Sequence, residues 1–298
     1  DILLFQVMYC GIIGNVLFPV WFFQGIQKMR YITILNMSGR ICTMLGIFLL
    51  VKTPEDYILA AFLQACTPLI AGIFSIVWLS KHYTGLFKWP TIGEIINSYK
   101  EGWSIFVSSL AVNLYTATNI VVLGMLTNNV IVGYYSAADK LIICVRRGIY
   151  AVSDAIYPFI SKMMKDDIPK GLQFIKKQLF LYLIVGVVGC TSLFFFSDTI
   201  VRLLFGADYD LTVDVLRILS FVPLAVAIST VFGEETMLPL NMNSAYSRTL
   251  VLAAFFSLLS IFPLCYLWGA KGVAMTMLLT EFLIMIIMGG LLRKQLFQ

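Results

Sequence analysis

The chain has 298 residues, of which 60% are hydrophobic and 12% are charged, and its formal net charge is +5. Soluble domains contain about 25% charged residues, so this composition excludes an ordinary soluble protein and indicates an integral membrane protein. The modest positive charge is explained by membrane topology, and it indicates no nucleic-acid partner.

Nine apolar stretches are long enough to cross a bilayer as helices. They cover about residues 2–22, 31–51, 57–79, 103–126, 132–157, 178–200, 212–232, 247–268 and 271–292. The predicted fold class is therefore an all-α, multi-pass membrane protein.

The distribution of Lys and Arg predicts the orientation. Loops on one side of the membrane hold thirteen of these residues, and loops on the other side hold three. The richer side is expected to be cytoplasmic, which places the C-terminus in the cytoplasm and Asp1 outside. A chain that starts outside, without Met and within an apolar run, is expected to have further helices upstream.

Two polar segments divide the series of spans. Residues 81–102 form the predicted linker between residues 1–80, with three spans, and residues 103–298, with six. Within it, Trp89 and Pro90 predict a turn that is followed by a short amphipathic helix. Residues 162–177, with Pro169, predict a second basic cytoplasmic loop.

The span between Gly133 and Pro158 carries five ionisable side chains. On a helix its polar residues fall within an arc of roughly 140°. They are Tyr135, Ser136, Asp139, Lys140, Arg146, Arg147, Tyr150, Ser153, Asp154 and Tyr157. Five charges at mid-depth need roughly 12 to 17 kcal/mol of compensation. One source is a closed network that pairs Asp139 with Lys140 or Arg146, and Arg147 with Asp154. The other is water or an anionic ligand, which the surplus positive charge favours.

Other ionisable residues have simpler interpretations. Glu281 stands alone in the last span, without a local partner. The pairs Asp198–Arg202 and Asp214–Arg217 have the spacing of exposed helical ion pairs. The six cysteines show no spacing typical of metal ligands, and His82 is the single histidine. We therefore expect neither a metal site nor an enzyme.

Three sequence runs resemble a known family. They are PVWFFQGIQKMRYITILNMSGRI at residues 19–41, GYYSAADK at 133–140 and YPFISKM at 157–163. The chain resembles the Wzx-type flippases of O-antigen and other polysaccharide repeat units, which belong to the multidrug/oligosaccharidyl-lipid/polysaccharide exporter superfamily. The resemblance implies a MATE-like bundle of twelve helices in two lobes, of which the nine spans here are the fourth to the twelfth.

The resemblance also implies a function and a set of site residues. The expected activity is the movement of an undecaprenyl-pyrophosphate-linked oligosaccharide across the bacterial inner membrane by alternating access. Arg146 and Arg147 are the first choice for pyrophosphate or sugar contacts, and Lys140 and Arg40 are further choices. Three carboxylates, Asp139, Asp154 and Glu281, are candidates for binding a coupling ion, H⁺ or Na⁺. A turn at Gln24 and Gly25 is expected at the cytoplasmic gate.

The expected partners are the lipid-linked oligosaccharide and membrane lipids, with a polysaccharide polymerase and the chain-length machinery as further candidates. No other cofactor is expected. Two alternatives stay open: a cation-coupled multidrug antiporter of the same fold, and a membrane polymerase or glycosyltransferase. The antiporter would need an acidic cavity to attract cationic drugs, and the enzyme would be expected to have large outer loops.

Overall fold

The computed structural model describes residues 2–26, 28–53, 56–82 and 90–297, and their regular structure is helical, without a strand. The helices are α1 (Ile2–Leu17), α2 (Val20–Gly25), α3 (Met29–Leu50), α4 (Tyr57–His82), α5 (Ile92–Leu126), α6 (Asn129–Asp166), α7 (Ile168–Phe205), α8 (Asp210–Leu219), α9 (Val222–Phe232) and α10 (Asn243–Phe297). A π-helical turn, Gly233–Met237, follows α9 directly.

The described helices account for the nine predicted spans. Within the described ranges, seven stretches are long and apolar enough to cross a membrane. The charged helix α6 is not among these seven, although its 38 residues are long enough to span. The α10 stretch contains two runs, because Gly269 has a positive φ of 56° and interrupts the helix. The predicted all-α membrane class is confirmed.

The chain divides into two compact units, residues 1–92 and 93–298. The division falls inside the predicted linker, of which residues 83–89, including Trp89, lie outside the described residues. The separate amphipathic helix predicted after Pro90 is wrong. Those residues instead form the first turns of α5, which continues to Leu126 because neither Pro nor a turn motif interrupts it.

The second basic loop is also a wrong prediction. α6 continues to Asp166 and α7 begins at Ile168, so a single residue, Asp167, joins them. Pro169 lies in the first turn of α7, where a missing backbone N–H costs nothing. Asp167 caps α7 by accepting a hydrogen bond from the Lys170 backbone N–H, and its carboxylate also pairs with the Lys170 ammonium at 3.0 Å. The side-chain contact with Lys170 has the largest effect, followed by the backbone hydrogen bond, and together they hold the pKa of the Asp167 carboxyl below its usual range.

In the first unit, α1 packs closely against α4 through small residues. A methyl group on Gly14 would overlap the backbone at Pro68 and Leu69, and one on Gly72 would overlap the Gly14 carbonyl. Glycine at these points therefore permits backbone-to-backbone contact, as is typical of helix pairs in membranes.

An aromatic cluster lies near the start of α3 in the same unit. Phe23 is 1% exposed and packs against Tyr31 and Trp78, whereas Trp21 is exposed. Lys28 lies 5.3 Å above the centre of the Trp78 ring. His82 stacks on Trp78 as well, and its Nδ1 lies 2.9 Å from the Trp78 carbonyl oxygen.

The second unit has two apolar cores. One joins residues of α5, α6, α7, α8 and α9 to the middle of α10. The other joins α5, α6, α7 and α9 to the π-helical turn and both runs of α10. The two runs of α10 fold back on each other at Gly269. A methyl group on Gly272 would overlap the Leu264 carbonyl, so this position accepts only glycine without a shift of the backbone.

Candidate functional site

The polar arc of helix α6 has a buried edge and an exposed edge. Arg146 belongs to a buried stripe with Tyr135, Ala138, Ile142, Ser153 and Ile160. Lys140, Arg147 and Asp154 are exposed and lie seven residues apart, which places them on one line along the helix. Asp139 is half-buried between the two stripes. The predicted polar arc is therefore buried along one edge and exposed along the other.

The buried edge contains a network centred on Glu281. The Arg146 guanidinium nitrogen Nη2 lies 3.4 Å from Glu281 Oε1, and both side chains are at least nine-tenths buried. The Tyr115 hydroxyl donates a 3.0 Å hydrogen bond to the same oxygen, and Arg146 Nη2 donates to the Tyr150 hydroxyl at 3.4 Å. Helices α5, α6 and α10 thus meet at one buried ion pair.

This geometry gives Glu281, which has no local partner in its own span, a partner from a distant part of the chain. Its partner is Arg146, which comes from another helix, 135 positions away. Neither the Asp139 pair nor the Arg147–Asp154 pair of the closed-network alternative forms within the described residues. The roles predicted for these residues in ligand or ion binding stay predictions.

Two pairs predicted by helical spacing have different outcomes. Arg202 Nε lies 2.8 Å from Asp198 Oδ1, so this ion pair is confirmed. The prediction of an Asp214–Arg217 ion pair is wrong. Asp214 pairs instead with Lys271 at 2.8 Å, and Arg217 donates to the Ser197 hydroxyl at 3.1 Å.

Lys140 lines a pocket near the start of α6, with a volume of about 410 Å³. Tyr134 and Tyr209 form part of its wall and pack edge to face, with ring centres 5.2 Å apart. A cation beside aromatic rings and hydroxyl groups offers contacts both to phosphate and to sugar.

In the first unit, Arg40 is exposed and lines an open, partly polar pocket of about 480 Å³. The polar side chains that share the pocket are those of Asn15, Asn36, Thr43, Gln64 and Thr67. The Thr43 and Thr67 hydroxyls are hydrogen-bonded to each other. No acidic residue lines this pocket within the described part of the unit, and Arg40 has no ion-pair partner there.

The turn predicted at Gln24 and Gly25 agrees with the end of α2 at Gly25. A side chain added at Gly25 would meet open space, so steric crowding does not require glycine there. Its predicted role at a cytoplasmic gate stays a prediction.

Sequence reasoning missed two groups of polar residues. The amides around Arg40 lie on three different helices, and each taken alone resembles a satisfied polar residue in a span. Glu234 and Glu235 were also missed, although two adjacent carboxylates within an apolar stretch are a usable signal. Among the described residues, no group of three or more His, Cys, Asp or Glu side chains could hold a metal ion.

Comparison with known proteins places this geometry in a family. Residues 1–164 match the family model described as "Polysaccharide biosynthesis protein". The chain is 31% identical over 280 residues to the "Putative O-antigen transporter" of Escherichia coli (strain K12), covering 92% of this chain and 66% of that protein. It is 30% identical to the protein of the same name from Shigella dysenteriae, covering 92% of this chain and 69% of that protein.

A solved structure shares the fold. The "Lipid II flippase MurJ, inward closed conformation" matches with a TM-score of 0.65 at 15% identity, covering 87% of this chain and 55% of the MurJ chain. This chain thus spans little more than half of MurJ and just under two thirds of the Escherichia coli protein. The predicted resemblance is confirmed, and the chain belongs to the polysaccharide biosynthesis protein family that its first 164 residues match.

Proposed function

We propose that this chain forms most of a flippase that moves a polyprenyl-pyrophosphate-linked oligosaccharide across the bacterial inner membrane by alternating access. Family membership and the names of the O-antigen relatives support this proposal. Physically, a glycan and a pyrophosphate cannot cross hydrocarbon bare, whereas the polyprenyl chain can stay in lipid. Such a protein must therefore hold polar, cationic pockets inside its helical bundle.

The observation that carries the proposal is the pocket around Arg40. Arg40 lies eleven residues after the start of α3 and ten before its end, so it is about 15 Å from either end of the helix. An arginine at this depth is costly unless it meets water or an anion. The surrounding amides and hydroxyls can both donate and accept hydrogen bonds, as sugar hydroxyls require.

The second unit contributes accessible cations of its own. Lys140 and Arg147 are exposed on α6 and can approach a phosphate directly. Arg146 is held by Glu281, so it becomes available to a phosphate only when that ion pair opens. We infer that Lys140 and Arg147 make the first contacts, and that Arg146 contributes after a conformational change.

The charge of the Arg40 pocket argues against a transporter of cationic drugs. A positive ligand would meet Arg40 with no carboxylate in the pocket wall. We further propose that the chain crosses the inner membrane with its C-terminus in the cytoplasm, because Lys and Arg are concentrated in the loops on that side. A polysaccharide polymerase and the chain-length machinery remain proposed partners.

Replacement of Arg40 tests the proposed function. The full-length Arg40→Ala variant, in cells that lack their own transporter, should reduce surface polysaccharide by about tenfold or more, because a charged hydrogen-bond donor to the substrate is lost. Arg40→Lys should restore part of the activity, since Lys keeps the charge but not the bidentate geometry.

Arg30→Ala is the matched control, because Arg30 is exposed near the start of the same helix and does not line the pocket. Surface polysaccharide and the amount of protein in the membrane are measured together. Normal surface polysaccharide with Arg40→Ala would overturn the assignment of this pocket.

A further inference from the structure

The π-helical turn Gly233–Met237 holds two adjacent carboxylates inside a membrane-length apolar stretch. The stretch runs from Asp210 to Met237, and most of it is buried. Glu235 is fully buried, whereas its neighbour Glu234 is half-buried. Single π-helical turns are rare and occur frequently at functional sites.

The Glu235 carboxylate is only partly satisfied. Its Oε2 accepts a 2.6 Å hydrogen bond from the Gln178 side-chain amide, and the Ser153 hydroxyl also faces the carboxylate. Its Oε1 has no hydrogen-bond partner. Gln178 is 6% exposed, and its Oε1 has no partner either. The hydroxyl of Tyr182, one turn further along α7, is buried and approaches the Gln178 amide without a well-formed hydrogen bond.

No positive charge balances Glu235 among the described residues. The ionisable groups that act on this turn are Glu234 itself, Asp154, Tyr150 and Tyr157 from α6, Tyr182 from α7, and Tyr246 from α10. All of them are acids. Arg146, the buried arginine of α6, is paired with Glu281. A buried carboxylate with acidic neighbours and no cation is strongly disfavoured unless it gains a positive charge.

We propose that Glu235 binds one monovalent cation: either H⁺, which protonates its carboxylate, or Na⁺, with the Gln178 Oε1 and Tyr182 hydroxyl oxygens as neutral ligands. A single carboxylate with neutral oxygens suits one positive charge, whereas a divalent ion would need more carboxylates. Binding neutralises a turn that packs against α6, α7 and α10, and it therefore favours the conformation in which these helices enclose it. The coupling of this site to transport rests on the proposed function, but cation binding itself does not.

Thermal unfolding of the full-length protein in nanodiscs tests the binding. One series replaces choline chloride by NaCl at constant pH and ionic strength, and a second lowers the pH without Na⁺. A Na⁺ site raises the midpoint with saturation in the first series, and a proton site raises it in the second, by about 5 °C in either case. Glu235→Gln should abolish the dependence on the cation, because the neutral amide needs none.

Glu234→Gln is the matched control from the same turn, and it should retain the dependence on the cation. If Glu235→Gln does not fold, Gln178→Leu should weaken the Na⁺ response at least tenfold, or shift a proton response to higher pH, because the Glu235 carboxylate loses its hydrogen-bond donor. An unchanged response in Glu235→Gln, or no response to either cation in the wild type, overturns the proposal. Because no substrate is present, a failure of the flippase assignment leaves this result standing. Loss of surface polysaccharide in Glu235→Gln would then link the site to transport.

Discussion

The buried pair Arg146–Glu281 allows a quantitative test of how burial determines the strength of an ion pair in this fold. Two unit charges 3.4 Å apart attract by about 5 kcal/mol at an effective dielectric constant of about 20. Desolvation of both groups opposes this attraction. Removal of one partner leaves the other charge buried, so Glu281→Gln should lower the free energy of unfolding by about 3 kcal/mol.

A double-mutant cycle isolates the pair. Arg146→Met combined with Glu281→Gln should cost less than the sum of the single replacements, with a coupling energy of about 2 kcal/mol. The assay is equilibrium unfolding in mixed detergent micelles, followed by tryptophan fluorescence. Tyr115 and Tyr150 are unchanged in every variant, and the Arg146–Tyr150 hydrogen bond is lost in both proteins that carry Arg146→Met, so its loss cancels from the coupling energy.

The pair Lys271–Asp214 is the matched control. Its atoms are closer, at 2.8 Å, but its side chains are 44% and 43% exposed. Solvent screening should reduce its coupling energy below about 1 kcal/mol. The reasoning is refuted if the cycle at Arg146 and Glu281 is additive within about 0.5 kcal/mol, or if the exposed pair couples more strongly than the buried one.

Two further predictions concern α6 and the hairpin in α10. In a background without the native cysteines, Arg147→Cys should react with a hydrophilic thiol reagent much faster than Arg146→Cys. It should also react faster than Val152→Cys, which lies on the exposed apolar face. Equal rates at all three positions would contradict the division of α6 into stripes. Gly272→Ala should destabilise the protein by about 3 kcal/mol, because the new methyl group overlaps the Leu264 carbonyl, and an unchanged unfolding midpoint would contradict the close approach of the two runs.

Local sequence patterns correctly predicted the features that are determined within a single helix. Apolar length predicted the spans, and the period of 3.6 residues predicted that the charges of α6 share one side of it. The Asp198–Arg202 pair was predictable because its two residues lie one turn apart on the same helix. The Asp214–Arg217 prediction failed for a related reason, since Lys271 of α10 approaches Asp214 and spacing along one helix cannot reveal it.

The candidate sites depended on contacts between helices. Asn15, Arg40 and Gln64 belong to α1, α3 and α4, and only the packing of these helices creates a pocket with amides around the arginine. Glu235 and Gln178 are 57 residues apart, and their hydrogen bond forms because the π-helical turn packs against α7. Neither arrangement has a signature in residue spacing.

The sequence by itself determined the membrane class of this protein, the positions of its spans and the concentration of charge on one helix. These follow from transfer free energies and helical periodicity, which act residue by residue. The tertiary structure alone decided which charges are neutralised. Arg146 meets Glu281 because α6 and α10 pack together, whereas Arg40 and Glu235 have no opposite charge within reach in the part of the chain that the structure describes. The physical reason is that an ionic interaction in a membrane depends on distance and burial, and helix packing sets both.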